Sequence, residues 1–199
     1  MPKYKILGGK HFGTKFTNPK RKSSDELLIY EQIDDLIIDI KNLNGKEIAY
    51  TTTGEIVVSE DILNLFKENN LTGYQIRTVK NFRKNYASKK RYFQIMTDSL
   101  MPSVSPATII KSKSGLLSYK NLVEKSLYYN KNEVFNLPDF NKSLEYFGST
   151  DGKPYFIQKL WIISANVHKI LINSAKQKES DFISTFLVED AEKKCNRGY

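Results

Sequence analysis

One cysteine, Cys195, stands four residues from the end of this 199-residue chain. A disulfide framework within the monomer and a cysteine-based zinc site are therefore excluded. No apolar run approaches the ~20 residues needed to span a membrane, and the opening MPKYKILGGKHFG lacks the apolar core of a signal peptide. The expectation is cytoplasmic residence with no membrane partner. Only five of the 31 basic residues are arginines (Arg21, Arg77, Arg83, Arg91 and Arg197), and it is the planar arginine fork that favours bidentate phosphate and guanine contacts. The chain also lacks a G-x-x-x-x-G-K-S/T phosphate loop, a G-x-G-x-x-G turn, an H-E-x-x-H helix and a G-x-S-x-G elbow. No cofactor and no metal is expected.

What is present is a globular composition. Apolar residues make up 40% and charged residues 27%, and a chain of this length buries about 70% of its unfolded surface without needing a staple. The net charge of +9 invites a nucleic-acid or anionic-membrane partner. Its lysine-rich make-up fits a solvated surface better.

The chain is organised around a strand-helix unit that is used twice. Ile56-Val57-Val58-Ser59 aligns with Trp161-Ile162-Ile163-Ser164 at an offset of 105 residues, placing Ile62, Leu65 and Phe66 opposite Val167, Ile170 and Leu171. The β-branched pair Val57-Val58 in an unbroken apolar run suits a short buried strand. Ser59 is a helix N-cap, followed by Glu60 and Asp61 at the positive end of the helix dipole. Ile62, Leu65 and Phe66 form one apolar stripe, with Asn64, Lys67 and Glu68 toward water. Asn69-Asn70 and Thr72-Gly73 stop the helix, and a strand from Tyr74 to Val79 follows. In the second copy Ser164 caps, Val167, Ile170 and Leu171 form the stripe, and Phe182 to Leu187 supplies the strand. His168 falls beside the stripe and reads as a helix-surface residue. The fold class expected is α+β, a mixed sheet with two pseudo-repeated strand-helix-strand units.

A single domain spans 1–199. Residues 1–22 are a basic segment with seven lysines and arginines and no acid; Tyr4, Ile6, Leu7, Phe12 and Phe16 suffice for one edge strand and a loop, and His11 lies in a glycine-flanked loop. Asp25 to Asn42 has helical spacing at Leu27, Leu28, Ile33, Leu36, Ile37 and Ile40, with a strand open for its second half because of Ile37-Ile38. Asp34, Asp35 and Asp39 read as a solvated edge. Asn44-Gly45 turns the chain into a strand at Glu47 to Thr53. The first unit occupies 45–100, variable insert and turns 101–154, the second unit 155–188, and a frayed tail 189–199.

Two stretches are candidates for chemistry. Phe82, Arg83, Lys84, Tyr86, Lys89, Lys90, Arg91 and Tyr92 interleave basic and aromatic side chains, the combination that holds single-stranded nucleic acid; the bland alternative is an exposed loop between strands. Pro138-Asp139 with Asp151-Gly152-Lys153 has the order of the P-D…D/E-x-K pattern of metal-dependent nucleases. The glycines, Ser149, Thr150 and Pro154 around Asp151 read as a turn, poor support for metal geometry.

Ile56-Val57-Val58-Ser59, Leu71-Thr72-Gly73-Tyr74, Met101-Pro102-Ser103, Pro138-Asp139-Phe140-Asn141 and Trp161-Ile162-Ile163-Ser164 together resemble the immunity-protein-like family of bacterial toxin–immunity systems. The resemblance covers residues 45 to 187. Commoner members carry paired C-x-x-C-G motifs, and where these would fall, around residues 107 to 135, this chain has Thr108-Ile109-Ile110-Lys111-Ser112-Lys113 and no cysteine. The resemblance implies a non-enzymatic protein that neutralises a cognate toxin by direct binding, through an interface of about 1,600 Å² in total.

Overall fold

The computed structural model describes residues 5–7, 35–43, 45–51, 54–83, 85–105, 108, 127–147, 158–178, 182–184 and 186–188, with backbone alone for 5–7, 182–184 and 186–188. Strand β4 (Ile56–Ser59) is buried along its whole length, as its apolar run requires. Antiparallel neighbours flank it, β3 (Ile48–Tyr50) on one side and β7 (Tyr92–Met96) on the other, with β5 (Gln75–Thr78) beyond β7. Helix α1 (Glu60–Glu68) springs from the end of β4. Its cap is the one the sequence predicts: the Ser59 side chain accepts from the Ile62 N–H at 3.4 Å.

The second unit repeats this frame residue for residue. Strand β10 (Trp161–Ile163) leads through Ser164 into α2 (Ala165–Asn173), with the Ser164 side chain accepting from the Val167 N–H, again at 3.4 Å. β10 pairs antiparallel with β9 (Phe140–Lys142) as β4 does with β3. Strand β11 (Phe182–Ser184) takes the place of β5. The place of β7 is filled by β1 (Lys5–Leu7), between β10 and β11. The registers coincide: Val58 sits opposite Ile48 and Phe93, and Ile163 opposite Phe140 and Lys5. The expectation of an edge strand at the start of the chain is therefore corrected. After β11 the chain goes on to β12 (Phe186–Val188) in another ladder, so the middle strand of the second sheet comes from the other end of the sequence.

The α+β architecture with strand-helix-strand repeats is thus realised as two four-stranded antiparallel sheets. Among the described residues, parallel pairing between strands is confined to β12 with β8 (Tyr128–Asn130) and β2 (Ile37–Ile38) with β6 (Lys80–Asn81), with one further parallel bridge between Leu100 and Lys142. One core joins the two halves: Val58, Ile62, Leu63 and Phe66 from the first and Phe140, Trp161, Ile163, Val167 and Leu171 from the second. Phe66, Tyr74 and Phe140 meet ring to ring at centroid distances of 5.9, 5.2 and 5.3 Å, and the Trp161 indole donates to the Gly54 carbonyl at 2.9 Å.

The opposite faces of the sheets pack on separate covers. Val57 and Tyr92 pack with Leu36, Ile38, Ile40 and Leu43, whereas Ile162 packs with Met101, Leu127, Tyr129 and Phe147. Burial on both faces explains why the central strands read as continuous apolar runs. Three expectations shift. The α1 stripe buries Leu63 and leaves Leu65 half-buried, because both helices share one core and widen the buried arc. The helix expected from Asp25 to Asn42 does not reach its end; β2 and a 3-10 turn at Ile40–Leu43 occupy 37–43, the strand alternative for β-branched Ile37-Ile38, and residues 25–34 lie outside the described ones. Asp39 is no solvated edge: it is 7% exposed and ion-paired to Arg83 Nε at 2.8 Å. Asp35 is an exposed partner of Lys80, and Asp34 is outside the described residues.

Candidate binding cleft

Each half carries a carboxylate just before its first strand, and each carboxylate takes the hydroxyl of the capping serine. In the second half Ser164 Oγ donates to Asp139 Oδ1 at 2.5 Å and the Ser164 N–H to the Asp139 carbonyl at 2.9 Å. In the first half Ser59 Oγ donates to Glu47 Oε2 and the Ser59 N–H to the Glu47 carbonyl at 2.8 Å. Each serine thus caps its helix and ties the helix start to the strand before it.

Around this shared frame the two halves diverge. The outer edge of β9 is closed. The segment after α1 docks on it, with the Phe140 N–H donating to the Thr72 carbonyl at 3.2 Å and the Thr72 N–H to Asp139 Oδ2 at 2.9 Å. Thr97 Oγ1 donates to the Phe140 carbonyl at 3.2 Å, and Lys142 exchanges backbone bonds with Ser99 and Met101. Gly73 allows the approach: its φ is +82°, and a Cβ there would stand 2.5 Å from Pro138 Cβ and 2.7 Å from the Phe140 carbonyl.

The matching edge of β3 opens on a cleft. The segment after α2, Ser174 to Lys178, stands across from Gly45, Lys46, Glu47, Ile48 and Tyr50, and about 450 Å³ lies between them. That volume is within the range of ligand sites, about 300–1,000 Å³. The Glu47–Ser59 and Thr51–Glu55 backbone bonds fix the alternation of the β3–β4 ladder, so the N–H and C=O of Ile48 point away from β4. Neither has a hydrogen-bond partner among the described residues, although Ile48 is only 3% exposed. A buried backbone group left so costs roughly 1–3 kcal/mol. Among the described lining residues are three lysines, Lys46, Lys176 and Lys178, and one carboxylate, Glu47. That carboxylate is already bound to Lys90, which also reaches Asp61 at 3.0 Å. Hydrogen bonds to Glu47 and then Asp61 hold the Lys90 pKa above the ordinary lysine value, so this ammonium is a fixed cation and no general base.

The basic aromatic stretch is placed differently from what its composition implies. Arg83 pairs with Asp39, Lys90 with Glu47 and Asp61, and Arg91 with Glu60 at 2.9 Å while lying 5.5 Å over the Phe93 ring. Tyr92 is buried in β7. Phe82 and Tyr86 are exposed, at 51% and 39%, as is Lys89; Lys84 lies outside the described residues. Most of the described cations are thus engaged within the chain, and Lys90 alone among them touches the cleft lining, through Glu47.

The nuclease pattern is not assembled among the described residues. Asp139 spends both carboxylate oxygens on Ser164 and Thr72, while Asp151 and Lys153 lie outside them. Among the described residues no three His, Cys, Asp or Glu side chains are grouped to hold a metal ion, and no helix is long and apolar enough to cross a membrane. Ser59 is fully buried, which suits a brace and not a nucleophile. The cleft itself left little trace in the sequence. Glu47 and Asp139 each precede a short strand, but they stand 12 and 25 residues before their serines, so no common spacing links them.

No protein-family model matches the chain, and no curated protein or solved structure does either.

Proposed function

We propose that this chain is a protein-binding module that works by occlusion and not by catalysis, with a toxin-like protein as its partner, as the resemblance to the immunity-protein-like family implies. The observation that carries the reading is the lysine-lined cleft beside β3, where the Ile48 N–H and C=O have no hydrogen-bond partner among the described residues, while the equivalent edge in the other half is covered. Burial of Ser59 and the engagement of Asp139 support a structural role for the two groups that stood closest to chemistry. A second reading, binding of single-stranded nucleic acid, is favoured by the exposed Phe82 and Tyr86 rings beside Lys89; the internal pairing of Arg83, Lys90 and Arg91 weakens it.

Affinity purification of the tagged chain from its native lysate, at two salt concentrations and with nuclease treatment in parallel, separates these. The expected result is one stoichiometric protein retained through salt and nuclease. Recovery of nucleic acid, falling steeply as salt rises, would replace the first reading with the second.

A further inference from the structure

We propose that the outer edge of β5 is a self-association surface, on which two copies of the chain pair their β5 strands antiparallel about a twofold axis at Ile76 and join two four-stranded sheets into one. The surface shares no residue with the cleft lining, so the inference goes beyond the protein-binding reading and stands or falls without it.

The ladders decide which groups face outward. The Val79 N–H donates to the Tyr92 carbonyl at 3.2 Å, and this pair continues the register in which Thr78 faces Phe93 and Arg77 faces Gln94. Residues 75, 77 and 79 therefore exchange bonds with β7, and the N–H and C=O of Ile76 and Thr78 point away from it. Neither residue has a backbone partner on that side among the described residues. Both are open to solvent where Ile48 is not: Ile76 is 45% exposed, and Gln75 and Thr78 are exposed beside it. Edges are blunted by shortness, proline or a bulge; β5 is short, but it has no proline and pairs with β7 without a bulge from Gln75 to Thr78.

A second copy fits this stretch in one register. Centring the axis on Gln75 would set Thr78 against the partner strand's position 72, where the Thr72 carbonyl already accepts from the Phe140 N–H. Centring on Thr78 would set Ile76 against position 80, where the Lys80 N–H already donates to the Leu36 carbonyl at 3.0 Å. Centring on Arg77 would face two guanidinium groups across the closest kind of cross-strand pair. Centring on Ile76 avoids all three. Each Ile76 N–H then meets the carbonyl of its copy, the two exposed isoleucine side chains cover one another, and Tyr74 stands across from Thr78, an aromatic with a β-branched residue. Gln75 stands across from Arg77. The Gln75 amide donates to the exposed Asp98 Oδ2 at 2.8 Å, so a guanidinium arrives beside a carboxylate on each side of the axis and no like charges are opposed. This needs the sign of the Arg77 charge and not a free guanidinium. Four residues per chain make a contact below the about 1,200 Å² of stable complexes, so the dimer is expected to be reversible and half-formed near about 100 µM.

Disulfide trapping in the full chain reads even a weak dimer together with its register. In a Cys195→Ser background, Ile76→Cys is expected to cross-link to its copy under mild oxidation, since the facing Cα atoms stand about 5.5 Å apart. Thr78→Cys stands about 14 Å from its copy and is expected to cross-link at least about tenfold more slowly. Sedimentation velocity and amide-resolved NMR of the wild type, from about 10 µM to about 1 mM, are expected to show a growing dimer fraction, with the Ile76 and Thr78 amides shifting and gaining exchange protection. Ile76→Lys, at an exposed position, is expected to keep the monomer folded and to weaken the dimer at least about tenfold by facing two ammonium groups. A chain that stays monomeric over the whole range, a dimer in which the Ile76 amide does not move, or equal trapping at 76 and 78 would overturn the inference. So would an Ile76 amide already protected in dilute solution, which would mean that the edge is covered within the chain. A co-purifying protein that protects the Ile76 amide in place of a second copy would overturn this inference and leave the protein-binding reading standing. Recovery of nucleic acid in the affinity purification would remove that reading and leave the self-pairing standing.

Discussion

The two halves of this molecule share a backbone frame and differ at one joint. In the second half the edge strand β9 is sealed by the Thr72–Gly73 segment, and Asp139 is surrounded by neutral donors from Thr72 and Ser164. In the first half the edge strand β3 borders a cleft, and Glu47 is held by Ser59 and an ammonium, Lys90. A repeat fixes where such a joint falls and leaves its contents free. One copy has become a seam of the fold, and the other borders a cleft in which the Ile48 backbone groups have no partner among the described residues.

The sharpest way to break the comparison is to put the same methyl group at both joints. Gly73→Ala is expected to destabilise by roughly 3–4 kcal/mol, combining the left-handed strain of about 1–2 kcal/mol with a clash against Pro138 and the Phe140 carbonyl that has to move the backbone. Gly45→Ala, at φ +72° with nothing within 4 Å of the new carbon, carries the strain alone, about 1 kcal/mol. Urea unfolding midpoints of the two variants read the difference. Equal losses would mean that the seam at Gly73 is looser than its contacts indicate.

Removing the carboxylates comes next. Asp139→Ala leaves the Ser164 hydroxyl and the Thr72 N–H and hydroxyl without their acceptor, and about 2–3 kcal/mol is expected, since hydrogen bonds to a charged group are the stronger kind. Glu47→Ala deprives Ser59 of its acceptor, but Lys90 keeps Asp61 and is about one-third exposed, so about 1–2 kcal/mol is expected. Thermal unfolding followed by circular dichroism ranks the pair. The reverse order would place the stronger brace in the half with the cleft.

The sequence carried the frame further than the joint. Paired runs ending in serine exposed β4, β10 and both helix caps, because buried strands and N-caps are written in a few adjacent residues. The placement of β1 between β10 and β11 was not legible, since a three-residue strand carries no record of its partners. Nor was the depth of Leu63, which depends on the second helix sharing the core. The basic aromatic stretch drew attention through composition, and composition is blind to partners: Asp39, Glu47, Glu60 and Asp61, each at least 29 residues away in sequence, take up Arg83, Lys90 and Arg91. The cleft depends on the segment after α2 standing off β3 where its counterpart lies flat on β9, a difference of loop path that no motif encodes.

The smallest expected effect probes the ionic character of the first joint. The Lys90 pKa is raised above the ordinary 10.5 by its hydrogen bonds to Glu47 and Asp61. For a cation raised in the folded state, the extra stability is fully present below the unfolded value and is lost as pH climbs through the folded one. Lys90→Met should therefore lower stability by a constant amount at neutral pH, a few tenths to about 1 kcal/mol for a partly exposed pair. The gap between variant and wild type should close once pH passes about 10.5, the ordinary lysine value. Measuring that gap, and not the wild type alone, cancels the titration of Tyr74, whose pKa burial also raises. Asp139 has no lysine in its place, so Asp139→Ala should show no such closure over the same alkaline range. A gap in Lys90→Met that stayed constant through alkaline pH would mean that its aliphatic stem matters more than its charge.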